Sequence, residues 1–395
     1  MPSANRHISL SRDCSIRALD RPYVYNRATD ELYELDSESL AFLRDCARGL
    51  TGEDSGPFVE YCLKEGILVE SDGQTEGPAP LTSPIGFLRY LELQLTARCN
   101  LRCKHCYLGD AKARDLPLPL AFKTMEEFDA AGGLRLLLSG GEPLLHEDFP
   151  AINERLPEFG FRSVLLTNGT LIDRNIARLL KVQEAQVSLD GMERAHDYIR
   201  GYGNFRKAIN AIGSLMDAGI AVSVATMVTS LNSGDFAGMV RLMESLGVKE
   251  WNVDVPVPSG RLIDNDCLML DPEEAARYHE YGFGGGFHHG PEGYACGAHL
   301  LSIGPDGSVA KCGFYLDRPA GNINQGLRAC AEMVRPIKLE EIDCDCEQKE
   351  ACRGGCRYRA TFYSNSLGPD PVRCAANGVK YSWRGGVCND NNKGS

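Results

Sequence analysis

Thr96-Ala-Arg-Cys99-Asn-Leu-Arg-Cys103-Lys-His-Cys106-Tyr107 places three cysteines at i, i+4 and i+7, directly after a short alternating segment from Tyr90 to Leu95. That spacing lets one loop wrap three thiolates around a face of an iron–sulfur cluster. A cubane needs four ligands, so three cysteines leave one iron free to bind something other than protein. His105, between two of the thiols, reads as solvent-facing, because the triad already fills three iron positions.

The chain around this loop has 395 residues, of which 16 are Cys, 43% hydrophobic and 24% charged, with a net charge of −12. Such a composition suits a globular chain of two or three domains, each burying its own core. The negative charge argues against a nucleic-acid groove or an anionic membrane as principal partner. No apolar run approaches the roughly 20 residues of a membrane span. Met1-Pro-Ser-Ala-Asn-Arg-His7 lacks the apolar core of a signal peptide, so a cytoplasmic location is expected. Thiols stay reduced there, and metal or cluster ligation explains most of the cysteines better than disulfides do. Asp390 to Ser395 reads as an unstructured tail.

Six strand-then-helix units follow from the Cys99 loop outward. The strands are expected at Tyr90–Leu95, Leu134–Ser139, Ser163–Thr167, Ala185–Leu189, Val222–Val228 and Glu250–Val255, with helices such as Phe205–Ala218 and Phe236–Ser245 between them. Repeated βα units imply a parallel sheet with right-handed crossovers. Unusual residues cluster at the strand ends: Ser139-Gly140-Gly141-Glu142-Pro143, Thr167-Asn168-Gly169, Ser188-Leu-Asp190-Gly191, then His196-Asp-x-x-Arg200-Gly201. Paired glycines allow close backbone approach, and polar acceptors suit an ammonium group.

The triad resembles the CxxxCxxC signature of the radical S-adenosylmethionine (SAM) enzymes, and Gly140-Gly141-Glu142-Pro143 resembles their GGEP segment. The resemblance implies an α/β fold, a partial (β/α)6 TIM barrel over residues 86–258 with its site at the C-terminal ends of the strands. It implies a [4Fe–4S] cluster on Cys99, Cys103 and Cys106 whose free iron chelates the methionine end of SAM. Gly140, Gly141, Glu142 and Pro143 would hold the SAM amino group. Asn168, Ser188 and Asp190 would line its pocket, with loop capping as their other reading. Tyr107 would pack over the adenine or the cluster.

In the last third, Cys296, Gly307-x4-Cys312, Cys346-x5-Cys352-x3-Cys356 and Cys374 resemble the seven-cysteine SPASM pattern, placing a connector and SPASM domain at 259–388. The pattern implies that Cys296, Cys312 and Cys356 hold one auxiliary [4Fe–4S] cluster, with a fourth ligand it does not specify. Cys346, Cys352, Cys374 and Cys344 would hold a second. Family spacing points at position 343, which is Asp343, so carboxylate and thiolate compete for that place. A zinc knuckle is the other reading. Cys267, Cys330 and Cys388 stay unassigned, and Gly282 to His289 reads as a mobile, solvated loop.

Residues 1–72 read as a separate small domain. Tyr23–Asn26 and Glu31–Leu35 flank the turn Arg27-Ala-Thr-Asp30 as a hairpin. Asp36 or Ser37 would cap a helix carrying Leu40, Leu43, Ala47 and Leu50; a second helix at Phe58–Lys64 would lead to a closing strand at Ile67–Val69. This order, a winged-helix-like arrangement, resembles the PqqD-like RiPP recognition element, which binds the leader of a ribosomal precursor peptide by strand addition. A packing domain without a ligand is the alternative. Cys14, Cys46 and Cys62 read as core thiols. A Pro/Gly/Ser-rich linker at 73–85 should carry few contacts across it, so a cut there should leave two folded pieces.

Together these resemblances imply a radical SAM/SPASM oxidoreductase that generates a 5′-deoxyadenosyl radical and modifies a precursor peptide, by thioether or carbon–carbon crosslinking or a related oxidation. Expected partners are a leader-bearing precursor peptide and an electron donor such as ferredoxin or flavodoxin, with no nucleic acid and no membrane. The competing expectations are an enzyme acting on a tetrapyrrole or other small molecule, a maturase associated with tungsten oxidoreductases, and a cluster- or zinc-binding scaffold without turnover.

Overall fold

The computed structural model describes residues 7–49, 56–71, 81–82, 88–288 and 290–380. Leu50, most of the 73–85 linker, His289, Cys388 and the tail therefore lie outside the described residues. The chain opens with β1 (His7–Leu10), β2 (Cys14–Ala18), β3 (Pro22–Asn26) and β4 (Glu31–Glu34). β3 and β4 form the expected antiparallel hairpin, Asn26 opposite Glu31. Asn26 Oδ1 accepts from Ala28 N, and Asp30 closes the turn at φ 69°, a left-handed position that Asp tolerates. Helix α1 (Ser37–Ala47) is capped by Asp36, which accepts from Ser39 N at 2.8 Å. Helix α2 (Pro57–Lys64) starts with proline, and β5 (Leu68–Ser71) pairs back onto β1. Cys14, Cys46 and Cys62 are buried beside Ile16, Val24 and Leu43, as core thiols should be.

The hydrophobic pattern does not mark β1 and β2, because polar Ser9, Ser15 and Arg17 occupy buried positions on them. The short strand β6 (Leu81–Thr82) runs parallel to β2 and covers its free side. The sheet order is β4-β3-β2-β6, so β4 and the two-residue β6 are its edges among the described residues.

The six predicted parallel strands are present within two residues of their expected bounds. They are β7 (Tyr90–Thr96), β8 (Arg135–Gly140), β9 (Arg162–Thr167), β10 (Glu184–Ser188), β11 (Ala221–Met227) and β12 (Glu250–Asp254), hydrogen-bonded in sequence order. Period-two alternation turns Leu91, Leu93 and Leu95 toward the helical layer and Glu92 and Gln94 to the opposite face. The sheet does not stop at residue 258. After β13 (Tyr294–Cys296), β14 (Leu300–Ile303) pairs parallel with β7, Leu300 opposite Tyr90; β15 (Ser308–Ala310) and β16 (Gly321–Asn322) then extend the sheet to nine strands. The cysteine-rich third is thus hydrogen-bonded into the barrel sheet. Among the described residues, no helix is long and apolar enough to cross a membrane.

The expectation that few contacts join the first domain to the barrel does not hold. The β3–β4 turn plugs the N-terminal end of the barrel, where the strands begin with arginines. Arg162 Nη1 donates to the carbonyls of Arg27 (2.9 Å) and Ala28 (3.1 Å), while its other nitrogens pair with Glu184. Arg17 Nη2 donates to Gly160 O at 2.8 Å, Arg27 Nη1 to Phe159 O at 2.7 Å, and Arg89 pairs with Asp20 at 2.6 Å. Buried Asp30 accepts from Tyr25 Oη at 2.7 Å and pairs with Arg135. Burial alone would push its carboxyl up, but His288, Arg135 and Tyr25 reverse that and lower it to about 2.

A carboxyl depressed on folding stabilises the fold above the ordinary carboxylate pKa and loses that contribution as pH falls through the folded value. The apo-protein should lose about 2 kcal/mol of stability from this group between pH 4 and pH 2. In urea unfolding at pH 7, Asp30→Asn should cost about 3 kcal/mol by leaving Arg135 without its partner. A variant as stable as the parent at pH 7 would show that the turn does not anchor the two parts.

Candidate active site

Backbone contacts fix the cysteine loop before any side chain reaches for a ligand. Ala97 N donates to Arg114 O (2.8 Å), Thr96 Oγ1 to Asp115 (2.6 Å) and Lys104 N to Ile199 O (3.0 Å). On the facing strand end, Gly141 N donates to Thr96 O and Glu142 N to Arg98 O, both at 2.8 Å. A Cβ on Gly140 would stand 2.3 Å from Thr96 O, and one on Gly141 would stand 2.2 Å from Arg98 O. Both glycines are therefore required by the approach of β8 to the loop. From the other side Arg261 donates to Cys103 O at 3.0 Å and, through its backbone, to Cys106 O at 3.0 Å.

The loop so held turns Cys99, Cys103 and Cys106 into one cavity of about 290 Å³ at the C-terminal ends of the strands. Gly140, Gly141, Asn168, Ser188 and Tyr107 line it, as the sequence suggests. Two side-chain donors face the sulfurs, Asn168 Nδ2 at 4.0 Å from Cys99 Sγ and Arg200 Nη1 at 3.8 Å from Cys103 Sγ, and Leu101 N donates to Cys99 Sγ at 3.4 Å. Three thiols on one wall, two of them met by donors, fit a cluster ligand set better than an inert core.

Three predicted residues do not reach the wall. Glu142 is fully buried behind it; its oxygens accept from Thr167 Oγ1 (2.8 Å) and Asn168 N (2.9 Å), tying β8 to the end of β9. Burial pushes its carboxyl up to about 7. Pro143, also buried, opens the 3-10 turn Pro143–Leu145 just beyond. Asp190 is buried too, with Oδ2 at 2.5 Å from Arg200 Nε and 2.6 Å from His105 Nε2, while Oδ1 accepts from Met227 N. Burial would raise Asp190, yet Arg200 and His105 hold it well below the usual carboxylate range. The solvent-facing reading of His105 is thus corrected: its side chain is 6% exposed and bound to Asp190.

Sequence reasoning gave no role to Glu92, Gln94 or Phe314. Glu92 lies in the cavity wall and accepts from Ser139 Oγ at 2.7 Å, Ser302 Oγ and Tyr107 Oη. Polar residues at alternate positions of an otherwise apolar strand were the available signal. Tyr107 Oη accepts from Gln94 at 3.0 Å, and its ring packs 5.1 Å from Phe314. Those two rings also border a larger open groove, about 1200 Å³, that carries Lys112, Arg114 and Arg318.

The C-terminal cysteines assemble into two groups. Electrostatic interaction links Cys312 with Cys296 and Cys356, and Tyr315 with all three. Burial, and then Cys344, Asp370, Cys352 and Cys346 nearby, push the Cys374 thiol up. Buried Cys330 donates to Asn322 O at 3.1 Å, and Cys267 is exposed.

Residues 93–243 match the family model of the radical SAM superfamily. The chain is also 35% identical over 350 residues to the Fe-coproporphyrin III synthase of Methanosarcina barkeri, covering 70% of this chain and 86% of that one. The chain belongs to the radical SAM superfamily. Membership implies an enzyme with a [4Fe–4S] cluster and SAM. Identity to the AdoMet-dependent heme synthase of Nitratidesulfovibrio vulgaris is 33% over 215 residues, 52% of this chain and only 57% of that protein's length. In fold the chain is similar to SuiB of Streptococcus suis, solved with S-adenosylmethionine: TM-score 0.67, 15% identity, 93% of this chain and 99% of that one. SuiB has also been solved bound to its precursor peptide SuiA.

Arg200 is a partly buried cation beside Cys103, oriented by Asp190. Arg200→Gln should lower the midpoint potential of the cluster by about tens of millivolts, because a nearby positive charge favours its reduced form. An EPR-monitored redox titration checks this; an unchanged potential would assign Arg200 to packing alone.

Proposed function

We propose that this chain is a radical SAM/SPASM enzyme, with two auxiliary iron–sulfur clusters, that modifies a ribosomally made precursor peptide. The observation that carries this reading is the electrostatic grouping of the SPASM-pattern cysteines: Cys296 and Cys356 act on the Cys312 thiol, and Cys344, Cys346 and Cys352 act on that of Cys374. In domain terms, residues 1–72 form a PqqD-like recognition element, 73–85 a linker, 86–258 the radical SAM barrel and 259–388 the connector and SPASM domain.

Cys99, Cys103 and Cys106 would hold the first cluster, and the backbone carbonyls around Gly140 and Gly141 would accept from the SAM amino group. Together the cluster and SAM supply a 5′-deoxyadenosyl radical able to take a hydrogen atom from unactivated carbon. Arg200 and Asn168 meet the sulfurs, while Tyr107 and Phe314 close the cavity toward the groove and exclude water. Glu92, in the wall, is placed to receive the proton that an oxidation of substrate releases. Cys296, Cys312 and Cys356 hold one auxiliary cluster; Cys344, Cys346, Cys352 and Cys374 hold the other.

Peptide specificity rests on the first domain. β4, four residues long against two for β6 at the other edge, is the longer edge of its sheet and the one we assign to strand addition. SuiB, whose fold spans nearly the whole of this chain, binds a precursor peptide, which accords with such a partner. A ferredoxin or flavodoxin would deliver the electron. A second reading, a tetrapyrrole substrate, is favoured by the identity to the Fe-coproporphyrin III synthase and by the cations of the groove, which suit carboxylates.

The test begins with reduced protein and SAM. 5′-Deoxyadenosine should form, and replacing Cys99, Cys103 and Cys106 together by Ala should abolish it while removing about four of the bound irons. Next, a leader-bearing peptide encoded near this chain's gene should bind in fluorescence anisotropy. Leu32→Pro, on β4, should weaken that binding at least about tenfold, since proline removes an edge donor, and leave SAM cleavage intact. Turnover of iron-coproporphyrin with no peptide binding would replace this reading by the second.

At the second auxiliary site thiolate is the softer match for iron. Cys344→Ala should therefore reduce iron content and alter the EPR signal, and Asp343→Ala should do neither. The reverse result would make that ligand an oxygen.

A further inference from the structure

Tyr315 stands three residues beyond Cys312, in the 3-10 turn Gly313–Asp317. Its hydroxyl oxygen is buried and has no hydrogen-bond partner. Buried hydroxyls are nearly always partnered, so one left alone calls for an explanation. The ring is held edge-on to Tyr358, 5.1 Å between centroids, with Lys311 Nζ 4.2 Å from its own centroid. The thiols that act on it electrostatically are Cys296, Cys312 and Cys356, a group of three with no fourth thiol among the described residues, which do not include Cys388. Of the other unassigned cysteines described, Cys330 donates to Asn322 O and Cys267 is exposed; neither belongs to this group.

We infer that the Tyr315 phenolate oxygen is the fourth ligand of the first auxiliary cluster, closing the iron that Cys296, Cys312 and Cys356 leave open. This rests on the auxiliary-cluster reading above. Tyrosinate is an established ligand of protein iron. Its O–H bond breaks as the Fe–O bond forms, and the proton passes to water, as the thiol protons do when a cluster binds. No electron is transferred in that step. Lys311 and Arg318, both over the ring, offset the added negative charge. A hard oxygen ligand in place of a soft thiolate distinguishes this cluster from its all-cysteine neighbour, and closing the iron denies it to substrate.

The test uses the full chain carrying Cys99→Ala, Cys103→Ala and Cys106→Ala, reconstituted with iron and sulfide so that only the auxiliary sites fill. About eight irons per chain are expected for two cubanes. Resonance Raman should show tyrosinate modes that shift with ring-deuterated tyrosine and vanish on adding Tyr315→Phe, which keeps the ring packing. Tyr315→Cys should restore a four-ligand cluster without those modes, guarding against a simple folding defect in the Phe variant. Eight irons without tyrosinate modes, or modes that survive Tyr315→Phe, overturn the ligand assignment and leave the cluster reading standing. Iron near zero overturns both.

Discussion

The close approach of β8 to the cysteine loop is the constraint on which the site depends. Gly141 N and Glu142 N donate to the carbonyls of Thr96 and Arg98, at a distance that no side chain on Gly140 or Gly141 would permit. That contact sets the height of the loop above the barrel and hence the direction of its three thiols. Glu142 then carries the constraint to the next strand by accepting from Thr167 and Asn168, which places Asn168 against Cys99. A motif that reads as ligand contact is, in its glycines and its glutamate, first a backbone clamp.

Behind the loop lies a second, ionic layer. Asp190 holds Arg200 and His105 in a buried triad, and Arg200 reaches Cys103. Buried charges of this kind contribute little net stability when fully paired but cost heavily when one partner is lost. Their effect here is orientation: a cation fixed beside one sulfur of the cavity wall. The same logic appears at the opposite end of the barrel, where Arg135 and Arg162 receive the carboxylate and carbonyls of the β3–β4 turn. The turn therefore ties the first domain to the strand starts, far along the sheet from the site at the strand ends.

Much of this was legible in one dimension. Strand positions from β7 to β12 followed from apolar runs and alternation, and the Asp36 cap and the β3–β4 hairpin from local turn chemistry. The cysteine triad and the glycine pair announced themselves by spacing. The reading failed where a residue's role depends on a partner far along the chain. His105 looked exposed between two cysteines, yet its partner is 85 positions away at Asp190. β14 is four residues long and carries no pattern of its own; it exists because β7 offers it an edge.

The sequence by itself determined the radical SAM identity, the order of the βα units and the residues able to bind iron, because spacing and periodicity are local and survive without coordinates. Only the tertiary structure decided how those residues divide their work. It put Glu142 and Asp190 behind the wall and Glu92 within it, brought Cys296, Cys312 and Cys356, 16 to 60 residues apart, into one group only by folding, and left the Tyr315 hydroxyl without a partner beside them. Burial and long-range pairing set those outcomes, and neither is a property of a residue's neighbours in sequence.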